Sequence, residues 1–115
     1  MDARRQLGES GERRAAEHLR RQGYKIVQQN WRNASGELDI IATSGKELVF
    51  IEVRTLETAN YGFPEESVGP RKQRQLARLA AAYVQHAHYE GDWRIDVIAI
   101  DGDGLRHIQN AVSLW

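Results

Sequence analysis

The stretch Gly36 to Thr55, G-E-L-D-I-I-A-T-S-G-K-E-L-V-F-I-E-V-R-T, constrains the fold of this chain more than any other. Two runs rich in Ile, Val, Leu and Phe flank Thr43-Ser44-Gly45-Lys46, and a Gly between such runs punctuates a short hairpin loop. With the turn centred there, Asp39 is expected roughly opposite Phe50. Side chains alternate along a strand, so Leu38, Ile40 and Ala42 fall on one face with Val49, Ile51 and Val53. That face is wholly apolar and must be buried. The other face carries Ile41, Leu48 and Phe50 near the turn, then Glu37, Asp39, Glu52 and Arg54 at the open end. A slip of one residue would invert both faces, so the faces are specified more firmly than the register.

Asp39 and Glu52 then become diagonal cross-strand neighbours, with Cβ atoms at most ~7–8 Å apart. Two carboxylates so placed can converge on one hard cation. Without a cation or a basic partner they repel, and the cost emerges as a raised carboxylate pKa or as lost stability. Arg54, on the same face as Glu52, is one such partner. For an arbitrary hairpin a surface salt bridge is the commoner outcome, so the rest of the chain has to decide.

A length of 115 residues with 41% hydrophobic content suits one domain with a real core, spanning residues 1–115. The N-terminus has charge but lacks the apolar run of a signal peptide, and no segment approaches membrane-spanning length, so a cytoplasmic protein with no membrane partner is expected. The absence of Cys rules out disulfides and Cys-containing zinc sites. Zero net charge argues against a strong, non-specific polyanion binder, but the charges are unevenly spread. Residues 1–32 hold eight Lys or Arg against four acids, residues 33–70 two against seven, and residues 71–115 six against five. An acidic, cation-binding centre between phosphate-attracting surfaces has this layout, as does a pair of solvated basic helix faces.

A first helix is expected from about Asp2 or Leu7 to Gln22, stopped by Gly23. Leu7, Gly11, Ala15 and Leu19 make its apolar stripe, with Gly8 and Ala16 beside it. Glu12 lies on the inward flank, and its neighbours three and four positions away are Gly8, Glu9, Ala15 and Ala16, none of which can neutralise it. It needs a distant partner or half-exposure. Tyr24 to Asn30 reads as a first strand and Trp31 to Ser35 as a loop leading into the hairpin, an antiparallel meander. Leu56 to Gly69 reads as irregular, with Tyr61 and Phe63 able to stack on bases or to cover the core.

Pro70 suits the first turn of a second helix running to about His88 or Tyr89. Leu76, Leu79, Ala80, Tyr83 and Ala87 form its buried stripe, with Lys72 one turn earlier on the same side. Arg71, Arg74 and Arg78, like Arg13 on the first helix, are phosphate-contact candidates or a solvated face. Trp93 to Ile100 reads as a fourth strand, parallel to the third across the helical crossover. Asp101-Gly102-Asp103-Gly104 begins like a calcium loop but lacks the later ligands, so it reads as a turn into a last edge strand, Leu105 to Val112. His86 and His88, two apart on a helix, make a poor metal site. The chain has no Gly-rich phosphate loop after a strand, no G-x-S-x-G elbow and no Cys nucleophile. What remains is acid-rich, cation-assisted chemistry or none.

The order G-E (Gly11, Glu12), G-E-L-D-I-I-A (Gly36 to Ala42), F-I-E-V-R (Phe50 to Arg54), Lys72 and R-I-D-V (Arg94 to Val97) resembles the bacterial YraN-like family. That family is placed among the PD-(D/E)XK nucleases, nearest to the Holliday junction resolvases, and the resemblance runs from about Leu7 to Val112. It implies an α/β fold of the α+β, mixed-sheet kind, with a restriction endonuclease-like αβββαβ core and a small C-terminal edge strand. It also implies Mg²⁺ or Mn²⁺ held by Glu12, Asp39 and Glu52, with Arg54 at the motif's lysine position and Lys72 as a second cation. DNA is the implied partner, and resolvase-like relatives imply a homodimer. Arg54 departs from the motif: arginine stabilises developing negative charge but does not accept a proton from water. Two functional classes follow, a metal-dependent endonuclease and a nucleic-acid-binding module with little catalysis; a protein-interaction domain is a third.

Overall fold

The computed structural model describes residues 3–55, 68–102 and 104–112, with residues 3–9 as backbone alone. Among these, the order is α1 (Ala3–Arg21), β1 (Lys25–Asn33), β2 (Gly36–Ser44), β3 (Glu47–Thr55), α2 (Pro70–His86), β4 (Trp93–Asp101) and β5 (Gly104–Ile108). The strands form one mixed sheet in the order β1-β2-β3-β4-β5, with β3 and β4 parallel and the other pairs antiparallel. The fold is therefore the expected mixed α+β arrangement. The side chain of Leu7 and the segment 56–67, with Tyr61 and Phe63, lie outside the described residues.

Alternation along the strands sends side chains to two cores. On one face Ala15, Ala16 and Leu19 of α1 pack on Ile40, Ala42, Val49, Ile51, Ile98 and Ile100. On the other, Leu76, Leu79, Ala80 and Tyr83 of α2 pack on Ile41, Leu48, Phe50, Ile95 and Val97. Covering on both faces explains why β3 and β4 read as near-continuous apolar runs. Each fully buried Leu, Ile or Phe contributes roughly 1.5–3 kcal/mol. Phe50 and Trp31 each meet the Tyr83 ring edge-on, with centroids 5.6 and 5.4 Å away.

The helix ends follow local chemistry. After α1, Gly23 takes φ +88°, its N–H donates to the Arg20 carbonyl at 3.1 Å, and the Tyr24 N–H donates to the Leu19 carbonyl at 2.9 Å. These are the paired bonds of a Schellman cap. Pro70 opens α2, as expected. That helix stops at His86 rather than His88 or Tyr89, and Ala87, expected in the buried stripe, is the exposed C-cap.

The hairpin register differs from expectation. Ser44 pairs with Glu47, so Gly45 and Lys46 alone form the turn, and Ile41, not Asp39, lies opposite Phe50. The tighter turn moves the register by two residues, which preserves the faces. The first strand also runs further than expected. Trp31, Arg32 and Asn33 pair with Leu38, Glu37 and Gly36, leaving a two-residue connection at Ala34 and Ser35. Leu38 is a second correction: it joins the α2-side core instead of following Ile40 and Ala42. The cause is a break in strand geometry beside Asp39, at the mouth of the candidate site.

Candidate functional site

The β2–β3 ladder runs regularly from the turn to the Ile40–Ile51 pair and then stops. Beyond it the Val53 N–H donates to a side chain, Asp39 Oδ2, at 2.9 Å. On the other side of β2, Asn30 sits between the Gln29–Ile40 and Trp31–Leu38 pairs with φ +57°. A non-glycine residue in the left-handed region is uncommon and interrupts alternation. The strands thus open where the charged ends of the hairpin begin.

Glu12 reaches this opening from α1. The helix can approach because residue 11 is glycine: a Cβ there would overlap Thr55 Oγ1 at the end of β3. One carboxylate oxygen from each of Glu12, Glu37 and Asp39 lies within 4.8 Å of the other two. Asn30 borders two of them, and Arg32 Nε donates to Glu37 Oε2 at 2.6 Å from the exposed side.

Glu52 lies next to this group and is the more buried acid, with 5% of its surface exposed. Its Oε1 is 3.7 Å from Lys72 Nζ of α2 and 4.0 Å from Arg54 Nη1. Its Oε2 is buried and meets no hydrogen-bond donor among the described residues. Burial, followed by the charge of Asp39, pushes the Glu52 carboxyl up to about 7, against the opposing pull of Lys72 and Arg54. Burial also raises the Asp39 carboxyl, with Glu37 adding to the effect; the Val53 N–H, Lys72 and Arg54 act the other way. Two neighbouring carboxyls are thus held with less solvation than their charges require.

The sequence-predicted residues therefore separate into groups. Glu12 and Asp39 come together, with Glu37 as third member of the set and Glu52 beside Asp39, bracketed by Lys72 and Arg54. Arg13 of α1 and Arg71, Arg74 and Arg78 of α2 are exposed on the helices. Glu37 is not in the predicted ligand set, although the hairpin pattern puts it on the charged face with Asp39, Glu52 and Arg54. Asn30 had no such signal.

A second polar cluster lies around β4 and β5. Asp96 is fully buried and accepts from Arg94 Nε at 3.0 Å, His107 Nε2 at 2.8 Å and the Asn110 N–H at 2.8 Å. Burial alone would raise its pKa, but the hydrogen bonds from His107, Arg94 and Asn110 outweigh it and hold the carboxyl below the usual range. Arg94 also pairs with Glu47 and donates to Tyr24 Oη at 2.8 Å. His107 Nδ1 faces His18 Nε2 at 3.3 Å. This network ties α1, β3, β4 and β5 together. The open cavity beside it, about 430 Å³ and lined by His18, Gln22, Tyr24, Ser44, His107 and Gln109, includes none of the acidic set.

The model of the family described as "Uncharacterised protein family UPF0102" matches residues 11–100, which span every charged residue of the opening. The chain belongs to UPF0102. This is the YraN family, within the PD-(D/E)XK-like nuclease superfamily. A UPF0102 protein of Geobacter sulfurreducens is 44% identical over 114 residues, covering 94% of this chain and 89% of its own. One from Thermodesulfovibrio yellowstonii is 43% identical over 109 residues, covering 95% and 97%. Among solved structures, Pyrococcus furiosus SfsA in complex with Ca²⁺ aligns with a TM-score of 0.41 and 14% identity, over 96% of this chain and 65% of that one. Among the described residues, no helix is long and apolar enough to cross a membrane.

Proposed function

We propose that this protein is a metal-dependent endonuclease that hydrolyses DNA phosphodiester bonds, with Glu12, Glu37 and Asp39 holding Mg²⁺ or Mn²⁺ beside Glu52. The observation that carries the reading is the convergence of three carboxylates from a helix and a strand to within 4.8 Å, next to a buried acid with an unpartnered oxygen. An all-oxygen, anionic donor set fits a hard divalent cation and suits neither a soft metal nor a neutral ligand. Acids so arranged repel one another, and a cation relieves the repulsion.

When bound, such a cation supplies charge neutralisation at a phosphate and lowers the pKa of water. The remaining steps belong to the chain. The Val53 N–H fixes Asp39, so its other oxygen stays available to the opening. Lys72 and Arg54 place positive charge beside Glu52, where a phosphate gaining negative charge in the transition state would be stabilised. Arg54 acts as an electrostatic group and not as a base. Exposed Arg13, Arg71, Arg74 and Arg78 offer contacts to the DNA backbone on either side.

A second reading is favoured by Arg54 itself, which stands 4.0 Å from Glu52 where the motif has lysine: a nucleic-acid-binding module with little catalysis. One experiment separates the two. Purified protein is incubated with Mn²⁺ and linear, single-stranded or four-way DNA, beside Asp39→Ala and an EDTA control. The nuclease reading expects cleavage that needs the metal and disappears in Asp39→Ala. Salt-dependent binding without cleavage supports the module, and cleavage undiminished in Asp39→Ala would overturn the assignment.

A further inference from the structure

Asn30 combines two features that a regular β-strand does not show. Its backbone adopts φ +57° inside a strand, a conformation that L-residues avoid and that Asn tolerates better than most. Its side chain meets two carboxylates: with the amide nitrogen turned toward them, Nδ2 lies 2.7 Å from Glu37 Oε1 and 3.3 Å from Glu12 Oε2. That orientation is the chemically required one. Ionised carboxylates only accept, and of the two ends of an amide only the nitrogen donates. An NH₂ group carries two hydrogens, one for each acid.

We infer that Asn30 is a positioning residue for the acidic centre, its single amide bridging Glu12 of α1 to Glu37 of β2 so that both oxygens are in place before a cation arrives. The inference rests on the metal reading above. Glycine would suit this backbone better but has nothing to donate. Aspartate would tolerate the backbone but would add a negative charge to the two already there. Alanine would keep neither the tolerance nor the donor. Asparagine meets both demands, and the left-handed turn of β1 brings its amide to the acids. Partners that orient metal ligands in this way change metal affinity by roughly 10–100-fold when removed.

The test is Asn30→Gly, because glycine relieves the backbone while deleting the donor. Mn²⁺ affinity is measured by calorimetry, and thermal unfolding is followed in EDTA. The expected result is Mn²⁺ bound at least about ten-fold more weakly, with an unfolding temperature close to that of the wild type because relief of the backbone offsets the lost donor. A purely structural role gives the opposite pattern, an unchanged affinity with a moved unfolding temperature. Asn30→Asp serves as the second variant: turning a donor into an acceptor between two acids should lower the metal-free unfolding temperature at pH 8 by several degrees, and a value equal to wild type would overturn the inference. If wild-type protein binds no Mn²⁺, the metal reading falls and this assignment with it. If wild type binds and Asn30→Gly binds equally well, only the role of Asn30 falls.

Discussion

Replacing Glu52 with glutamine removes the ionisation that this fold disfavours most. A carboxyl moved from its ordinary 4.5 to about 7 reflects about 3 kcal/mol acting against its charged form. Because the folded state holds this proton more tightly than the unfolded state, the stability that protonation lends is complete below pH 4.5 and is lost as pH rises through about 7. Glutamine has no proton to lose. The figure of about 3 kcal/mol already includes the opposing pull of Lys72 and Arg54; against it stands only the cost of a buried amide without full hydrogen bonding, about 1 kcal/mol. The net expectation is Glu52→Gln more stable than wild type by about 2 kcal/mol at pH 8, roughly 5–10 °C in unfolding midpoint for a domain of this size. The two proteins should converge below pH 4.5. The assay is thermal unfolding by circular dichroism in EDTA across that range. A variant less stable than wild type at pH 8, or a difference independent of pH, would refute the claim that Glu52 is a desolvated acid.

The structure makes two further predictions about stability. Asp96→Asn strands Arg94 and His107 around a buried site and should cost about 3–5 kcal/mol in urea unfolding; a loss under 1 kcal/mol would show the network to be incidental. Gly11→Ala drives a methyl group into Thr55 Oγ1 and should cost about 1–3 kcal/mol while weakening Mn²⁺ binding through Glu12. Adding Thr55→Ala should restore both, since the next atom, Thr55 Cβ, is at 3.6 Å, and a double variant no better than the single one would contradict the packing argument.

Much of this arrangement was legible because it is periodic. Alternation assigned Ile40 and Val49 to one core and Ile41 and Phe50 to the other, and an even slip of two residues in the hairpin left those faces intact. The pattern of charges shows only that an inward Glu12 without local cations needs a distant partner or half-exposure; the family resemblance is what implies Glu12 and Asp39 in one set. Alternation failed where the strand stops being regular. Leu38 changed sides because Asn30 turns left-handed opposite the Asp39 segment, and one asparagine in a strand announces no such turn. Sequence alone ends the first strand at Asn30 for a related reason: Trp31 reads as the start of a loop until Tyr83, more than fifty positions away in sequence, is known to receive its ring. The partners of Asp96 come from β5 and the turn after it, so nothing local in R-I-D-V identifies it as a buried anchor.

The central claim is that acids from α1 and β2 share one divalent ion. Crystals soaked in Mn²⁺ and measured for anomalous scattering test it most directly. A single strong peak within ligand distance of Glu12, Glu37 and Asp39, with Glu52 alongside, is the expected result. A map with no peak there at millimolar Mn²⁺, or with Glu12 turned out of the opening, would contradict it.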